Sequence, residues 1–316
     1  MICARCVLLA FLLTATGSAF AQVPSMLKVI VPVPPGGSID ILARLLGDEI
    51  KRQGGPTIVI ENRTGANNLI GNTATARAAP DGATVGMVSP ALVINARIRQ
   101  ADAVRLANFE PICHLVDSPQ VVAVRADAPY KSMVDLIEAA RRSGGRFSVG
   151  ALGPLSVLQI AIELLKKNAQ APMSYVPYPG GAASVSALTG KEIEAVFVNF
   201  SEVLPKVTAG DLRILMTMSP ERLAPLPDVP TARELGYDFD ITGWFALVAP
   251  ARTPEAMTVA LGKLFAQALR QPALLARLDE LHMLPVGQCG NAARQFLETQ
   301  DRIIGDVIAD AHIKAD

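Results

Sequence analysis

Leu27-Lys28-Val29-Ile30-Val31-Pro32-Val33-Pro34-Pro35-Gly36-Gly37-Ser38-Ile39-Asp40-Ile41-Leu42-Ala43 carries three local signals in a row. The apolar run over residues 27–33 reads as a buried strand, and Pro34-Pro35-Gly36-Gly37 stops it. Ile39, Leu42, Ala43, Leu46 and Ile50 then recur at helical spacing, with Ser38 placed as an N-cap and Asp40 in the first turn. Strand, glycine loop and helix in that order form a βα unit, whose loop sits at the carboxyl end of a strand where ligands bind.

The same order repeats outward from this stretch. Strands are expected at 57–60, 84–89, 120–125, 147–149, 173–176, 193–198, 212–216 and 245–248. Helices are expected at 69–79, from Ser132 through Arg142, from Ser156 to Asn168, at 183–189, 254–270 and 292–311. Such a series predicts an α/β fold with mostly parallel, doubly wound sheets. Low aromatic content (5%) and 50% hydrophobic residues suit helices layered on such sheets.

Met1 to Arg5 is basic, residues 7–13 are apolar, and Ala19-Phe20-Ala21 is a small-x-small cleavage pattern. This reads as a secretory signal peptide over residues 1–21, leaving a periplasmic chain that starts at Gln22. No later run approaches the roughly 18 apolar residues of a membrane span. Lys+Arg and Asp+Glu are both 29, so no basic footprint points to a nucleic-acid or membrane-surface partner. Of four cysteines, Cys3 and Cys6 leave with the signal peptide. Cys113 and Cys289 remain, where a bridge is permitted by compartment. Two separate buried thiols is the default expectation, because spacing alone does not bring their Cα atoms within reach.

Enzyme signatures are missing. Gly190-Lys191 lacks the glycine and the Ser/Thr of a phosphate loop, no G-x-S-x-G occurs, and His114, His282 and His312 have no metal-binding spacing. Neither a cofactor nor a metal is therefore expected. Three loops remain that each follow a strand and open a helix: Pro34 to Ser38, Gly150 to Ser156, and Pro179 to Ser184. One such loop is an ordinary βα turn. Three, with free N–H groups at helix N-termini, describe an anion-binding cleft.

Val31 to Asp40, Glu61-Asn62-Arg63-Thr64-Gly65-Ala66, Ala79-Pro80-Asp81-Gly82, Val176 to Ala182, Ala209 to Arg213, Leu226 to Thr231 and Trp244-Phe245 leading to Ala249-Pro250 stand in one order along the chain. Together they resemble the Bug-type receptors of tripartite tricarboxylate transporters. The resemblance implies a two-lobed periplasmic-binding-protein fold, with lobe 1 over 22–124 and 243–316, and lobe 2 over 125–242. It implies a monomer that closes on a small organic acid and delivers it to membrane permease subunits. An orphan sensor that presents its loaded form to a signalling partner is the alternative, and a periplasmic enzyme a third.

Carried onto this chain, the resemblance assigns ligand binding to Gly36, Gly37, Ser38 and Asp40, to Gly150, Gly153, Ser156 and Gln159, and to Gly180, Gly181 and Ala182. Trp244 is expected as a buried hinge aromatic. Gln159 stands where the family often has His, Leu155 where it has Gly, and Val198 where it has Asp. Residues 64–69 also depart from the usual Pro-Gly-Ala-Gly-Gly-Asn. These changes point away from a tricarboxylate and toward a monocarboxylate with an apolar or amide-bearing body.

Overall fold

The computed structural model describes residues 23–99, 104–239 and 241–310. The expected signal peptide, its cleavage point and His312 lie outside them. The chain opens with β1 (Met26–Val31), α1 (Ser38–Arg52), β2 (Thr57–Asn62), α2 (Leu69–Ala76), β3 (Thr84–Val88), α3 (Ala91–Ile98) and β4 (Phe109–Ser118). Next come β5 (Gln120–Arg125), α4 (Met133–Arg142), β6 (Ser148–Leu152), α5 (Val157–Ala169), β7 (Ser174–Tyr178), α6 (Gly181–Thr189), β8 (Ala195–Asn199), α7 (Phe200–Thr208) and β9 (Leu212–Thr217). β10 (Gly243–Pro250), α8 (Glu255–Leu269), α9 (Pro272–Glu280), β11 (Leu284–Cys289) and α10 (Asn291–Asp310) complete it.

Local chemistry sets several of these boundaries. α1 buries Ile39, Leu42, Ala43, Leu46 and Ile50, and carries Asp40 in its first turn and Lys51 and Arg52 in its last, as the helix dipole favours. Ser132 and Asp135 close α4 with a reciprocal capping box. Ser38 does not cap α1 as expected. It is the first helical residue, Gly37 holds the cap position, and the Ser38 hydroxyl is turned elsewhere.

Among the described residues there are two sheets, ordered β11-β4-β10-β3-β1-β2 and β7-β6-β8-β5-β9. β1, β2, β3 and β4 share one direction in the first, with β10 and β11 running against them. In the second, only β5 opposes the rest. The antiparallel strands β5 and β10 are the ones that enter after the chain changes sheet. It changes at Pro119, which has no N–H to give to either ladder, so a boundary at Val124 would fall inside β5. The chain returns to the first sheet at Gly243.

Helices cover both sheets. One buried cluster lies on the first sheet around Leu42, Leu46, Leu115 and Phe265, and another on the second around Val121, Leu188, Val196 and Val203. A third runs through the junction, joining Val88 and Trp244 to Phe197 and Leu158. Trp244 is buried there, its Nε1–H donating to Gln300 Oε1 at 3.0 Å and its ring set edge-on to Phe296.

Cys113 and Cys289 form a disulfide, with Cα atoms 4.0 Å apart, which corrects the expectation of two separate thiols. β4 and β11 pair with Cys113 directly opposite Cys289. The bridge follows from that register, which joins strands 176 residues apart and leaves no trace in local spacing.

Candidate functional site

A cavity of about 220 Å³ lies where the two sheets face each other. Carboxyl ends of parallel strands from both sheets converge on it: the loop after β1, Ser89-Pro90 after β3, Leu152 at the end of β6, Pro179-Gly180 after β7 and Asn199 at the end of β8. This is the place where open α/β sheets bind ligands. α1 and α6 present their N-termini to it through Gly37-Ser38 and Gly181-Ala182-Ala183. A helix leaves its first N–H groups without intrahelical partners and so attracts anions.

Of the expected site residues, Gly37, Ser38, Ser156, Gly180, Gly181 and Ala182 line this cavity. Gly36, Asp40, Gly150, Gly153 and Gln159 do not, and four of them have another task or packing environment. Gly36 sits at φ +85° and donates its N–H to Asp40 Oδ2 at 2.9 Å. Asp40 also accepts from Arg44 Nε and Nη2, both at 2.9 Å, and from Asn62 at 2.8 Å. Burial alone would raise its pKa, but the bonds from Arg44, Gly36 and Asn62 outweigh that and hold the carboxyl below its ordinary range. Asp40 therefore fixes the first loop from behind.

In the second loop, Gly150 lies inside β6, where a Cβ would strike Ile193 and Tyr178. Ser156 caps α5 by accepting from the Gln159 N–H at 3.2 Å. Gln159 Oε1 accepts the Leu155 N–H at 2.6 Å, holding Leu155 in its left-handed conformation at φ +61°. Its side chain thus serves the loop and turns from the cavity.

The side chains that give the cavity its polarity were mostly not foreseen. They are Asn67, Asn68, Ser89, Gln120, Asn199 and Glu202. Ala66, Asn67 and Asn68 are three successive left-handed residues, with φ +48°, +51° and +69°. Asparagine tolerates that region better than most residues, and this pair was the available signal. Asn67 Nδ2 reaches across to the Leu155 carbonyl, and Asn95 Nδ2 holds the Asn67 carbonyl at 2.7 Å.

Glu202 on α7 makes a second crossing. One carboxylate oxygen accepts the Ser38 N–H at 3.4 Å and the other accepts from Asn199 Nδ2 at 3.5 Å. Ser38 Oγ lies 3.0 Å from Ser201 Oγ. No lysine, arginine or histidine lines the cavity among the described residues. Burial without a cation pushes the Glu202 pKa up, and the bonds from Ser38 and Asn199 only partly offset it. Glu202 follows Val198 by four residues, across the junction of β8 and α7, and supplies the carboxyl group that Val198 lacks.

A larger space of about 870 Å³ shares Pro90 and Val157 with this cavity and is walled mainly by Trp244, Phe296, Leu223, Ile304 and Pro285. None of the three glycine loops reaches it. His282 lies on its wall, stacked on Phe200, and His114 is stacked on Phe296 and bonded to Asp117 at 2.9 Å. Among the described residues no helix is long and apolar enough to cross a membrane, and no cluster of side chains suits a metal ion.

Residues 42–312 match the family model for the tripartite tricarboxylate transporter family receptor. The chain is 31% identical over 277 residues to BugT of Bordetella pertussis, covering 86% of this chain and 84% of that one. Its fold is similar to that of MatC from Rhodopseudomonas palustris with bound malate, with a TM-score of 0.82, 28% identity, and 90% and 98% of the two chains covered. It is also similar to a second R. palustris protein, solved with adipate, at TM-score 0.83 and 26% identity, over 92% and 98%. The chain belongs to the tripartite tricarboxylate transporter receptor family, whose members are solute-binding receptors and not enzymes.

Proposed function

We propose that this protein is a periplasmic receptor that holds one carboxylate group of a small solute in the cavity between its sheets, and passes the solute to a membrane permease. The observation that carries this reading is the meeting of two helix N-termini, α1 and α6, at one cavity that no cationic side chain lines among the described residues. Backbone N–H groups suffice to hold a single carboxylate. A second ionised carboxylate would lose its hydration against Glu202 with no charged partner, at a cost of several kcal/mol. An apolar or amide-bearing body therefore suits the remainder of the ligand. The cavity lies below the range of about 300–1,000 Å³ typical of drug-sized pockets, which suits a small metabolite.

Export through the signal peptide agrees with the Cys113–Cys289 disulfide, a bond that oxidising compartments sustain. The ligand-binding residues under this proposal are Gly37, Ser38, Ser156, Gly180, Gly181 and Ala182, with Gln120, Asn199 and Glu202. A thermal-shift screen of organic acids, followed by titration calorimetry with citrate, malate, adipate and aromatic monocarboxylates, tests it. A monocarboxylate is expected to raise the melting temperature most. Tight citrate binding with no response to monocarboxylates would overturn the ligand class. Intact-mass analysis of exported protein is expected to find Gln22 at the N-terminus, and a retained leader would refute processing there.

A further inference from the structure

The larger space of about 870 Å³ beside the ligand cavity has a chemistry of its own. Its walls come from both sheets: Trp244 on β10, Leu284 on β11 and Ile303 on α10 from the first, Ile160 on α5 and Leu223 beyond β9 from the second. Leu275, Leu284 and Ile303 are 36%, 49% and 45% exposed, and large aliphatic side chains left open to water gain by being covered. An apolar patch rimmed by polar groups marks an interaction site, and this volume lies within the range of about 300–1,000 Å³ that small-molecule pockets occupy. The rim has one sign. Asp117, Glu221 and Asp279 line the space, and among the described residues none of them pairs with a lysine or an arginine. Arg222 is the only arginine or lysine in the lining among those residues. Its Nε donates to both Glu234 oxygens, at 3.0 and 2.9 Å, and its Nη1 to the Pro227 carbonyl at 2.7 Å, so its charge is already met. Burial outweighs the pull of Asp279 on His282 and holds its pKa below the ordinary value, which leaves the ring uncharged at neutral pH.

We infer that this groove is a second ligand site, and that it takes an apolar or aromatic molecule carrying a protonated amine. The apolar body lies against Trp244, Leu223 and Leu284, while the ammonium stays at the water-facing rim with Glu221 and Asp279. A snorkelling charge of this kind keeps its hydration and still gains from the acids beside it. An organic acid of the same shape meets like charge instead, so the groove and the neighbouring cavity sort ligands by opposite signs. The inference is independent of the carboxylate reading, because none of the three glycine loops reaches this space.

Trp244 is the only tryptophan in the chain and lines the groove, so its fluorescence reads occupancy. The probes are 4-phenylbutylamine, 4-phenylbutanol and 4-phenylbutanoate, which share one apolar body and differ in charge. With the whole mature chain at low salt, the amine is expected to shift the Trp244 emission and to bind about fivefold tighter than the alcohol, a margin that shrinks as added salt screens the rim. Glu221→Gln combined with Asp279→Asn, both at exposed positions, is expected to erase that margin and to leave carboxylate binding in the smaller cavity unchanged. The butanoate is compared in the Gly37→Val chain, where the carboxylate cavity is filled, and is expected to bind there most weakly of the three. Equal binding of amine and alcohol by the unaltered chain overturns the inference whatever the variants do, as does an amine that leaves Trp244 unchanged. A margin that survives in the folded double variant overturns the role of the two acids. A dimer in sedimentation velocity that Leu284→Glu dissociates would show that a second copy covers the groove, and overturns the inference too. Failure of every organic acid to bind removes the proposed function and leaves this site standing.

Discussion

The carboxylate of Glu202, on α7, accepts the backbone N–H of Ser38, the first residue of α1, across the cleft between the two sheets. A helix N-terminus that could meet a ligand's charge already meets one supplied by the chain itself. The arrangement sets the conditions for the first two predictions below.

Glu202 keeps its proton to a higher pH in the folded protein than in the unfolded chain. Between the ordinary glutamate value of 4.5 and that raised value, the folded state binds more protons, so stability falls as pH rises. Glu202→Gln removes this slope. The variant is expected to melt above the parent at neutral pH, with the gap closing below about pH 4, where the glutamate is protonated in both states. Melting curves across that range check it.

Gly181 leaves no room for a side chain, because a Cβ there would overlap Glu202 Oε2 and approach Val198 Cγ2. Gly181→Ala is expected to cost about 1–3 kcal/mol, as overpacking does, and to drive the Glu202 carboxylate from the α1 N-terminus. Adding Glu202→Ala to the same chain is expected to recover the part of the loss that Glu202 causes. Denaturant melts of the single and double variants measure this directly, and equal losses in both would remove Glu202 as the cause.

The two glycines of the first loop differ in kind. Gly36 needs its left-handed φ of +85°, and a Cβ there would touch nothing within 4 Å. Gly37 has an extended backbone at φ −73° and lines the cavity. Gly36→Ala is expected to lose about 1–2 kcal/mol through backbone strain alone. Gly37→Val is expected to retain the fold while a larger side chain fills the ligand's space, so that calorimetry loses binding. Normal binding by the folded Gly37→Val chain would remove the first loop from the site.

Replacing Cys113 and Cys289 together by serine is expected to lower stability by about 2–5 kcal/mol. Melts under reducing conditions should bring the parent down to the level of the double variant. Unchanged melting after complete reduction would show that β4 and β11 hold each other without the bond.

The fold was legible wherever a βα unit kept its periodicity. The β1 loop and α1, and the Ser132 cap of α4, appear close to where their residues predict. β4 went unseen although it is the longest strand. Pro111, His114 and Asp117 interrupt any alternation, and both its faces are largely buried. α7 went unseen because Pro205 stands within nine helical residues. With α7 unread, Glu202 had no position, and so the charged group of the cavity was missing from the site. Glycine loops announced the backbone of the site. Its side-chain chemistry depends on which residues the second sheet turns toward the first, and only the folded chain sets that.

The bond between Cys113 and Cys289 has a consequence for the integrity of the chain. It closes a covalent ring that contains all of β5 to β9, and therefore the whole second sheet. A protease that cuts one peptide bond anywhere inside that ring opens it without separating the pieces. Nicked protein would keep its intact mass, apart from one added water, until a thiol releases two fragments.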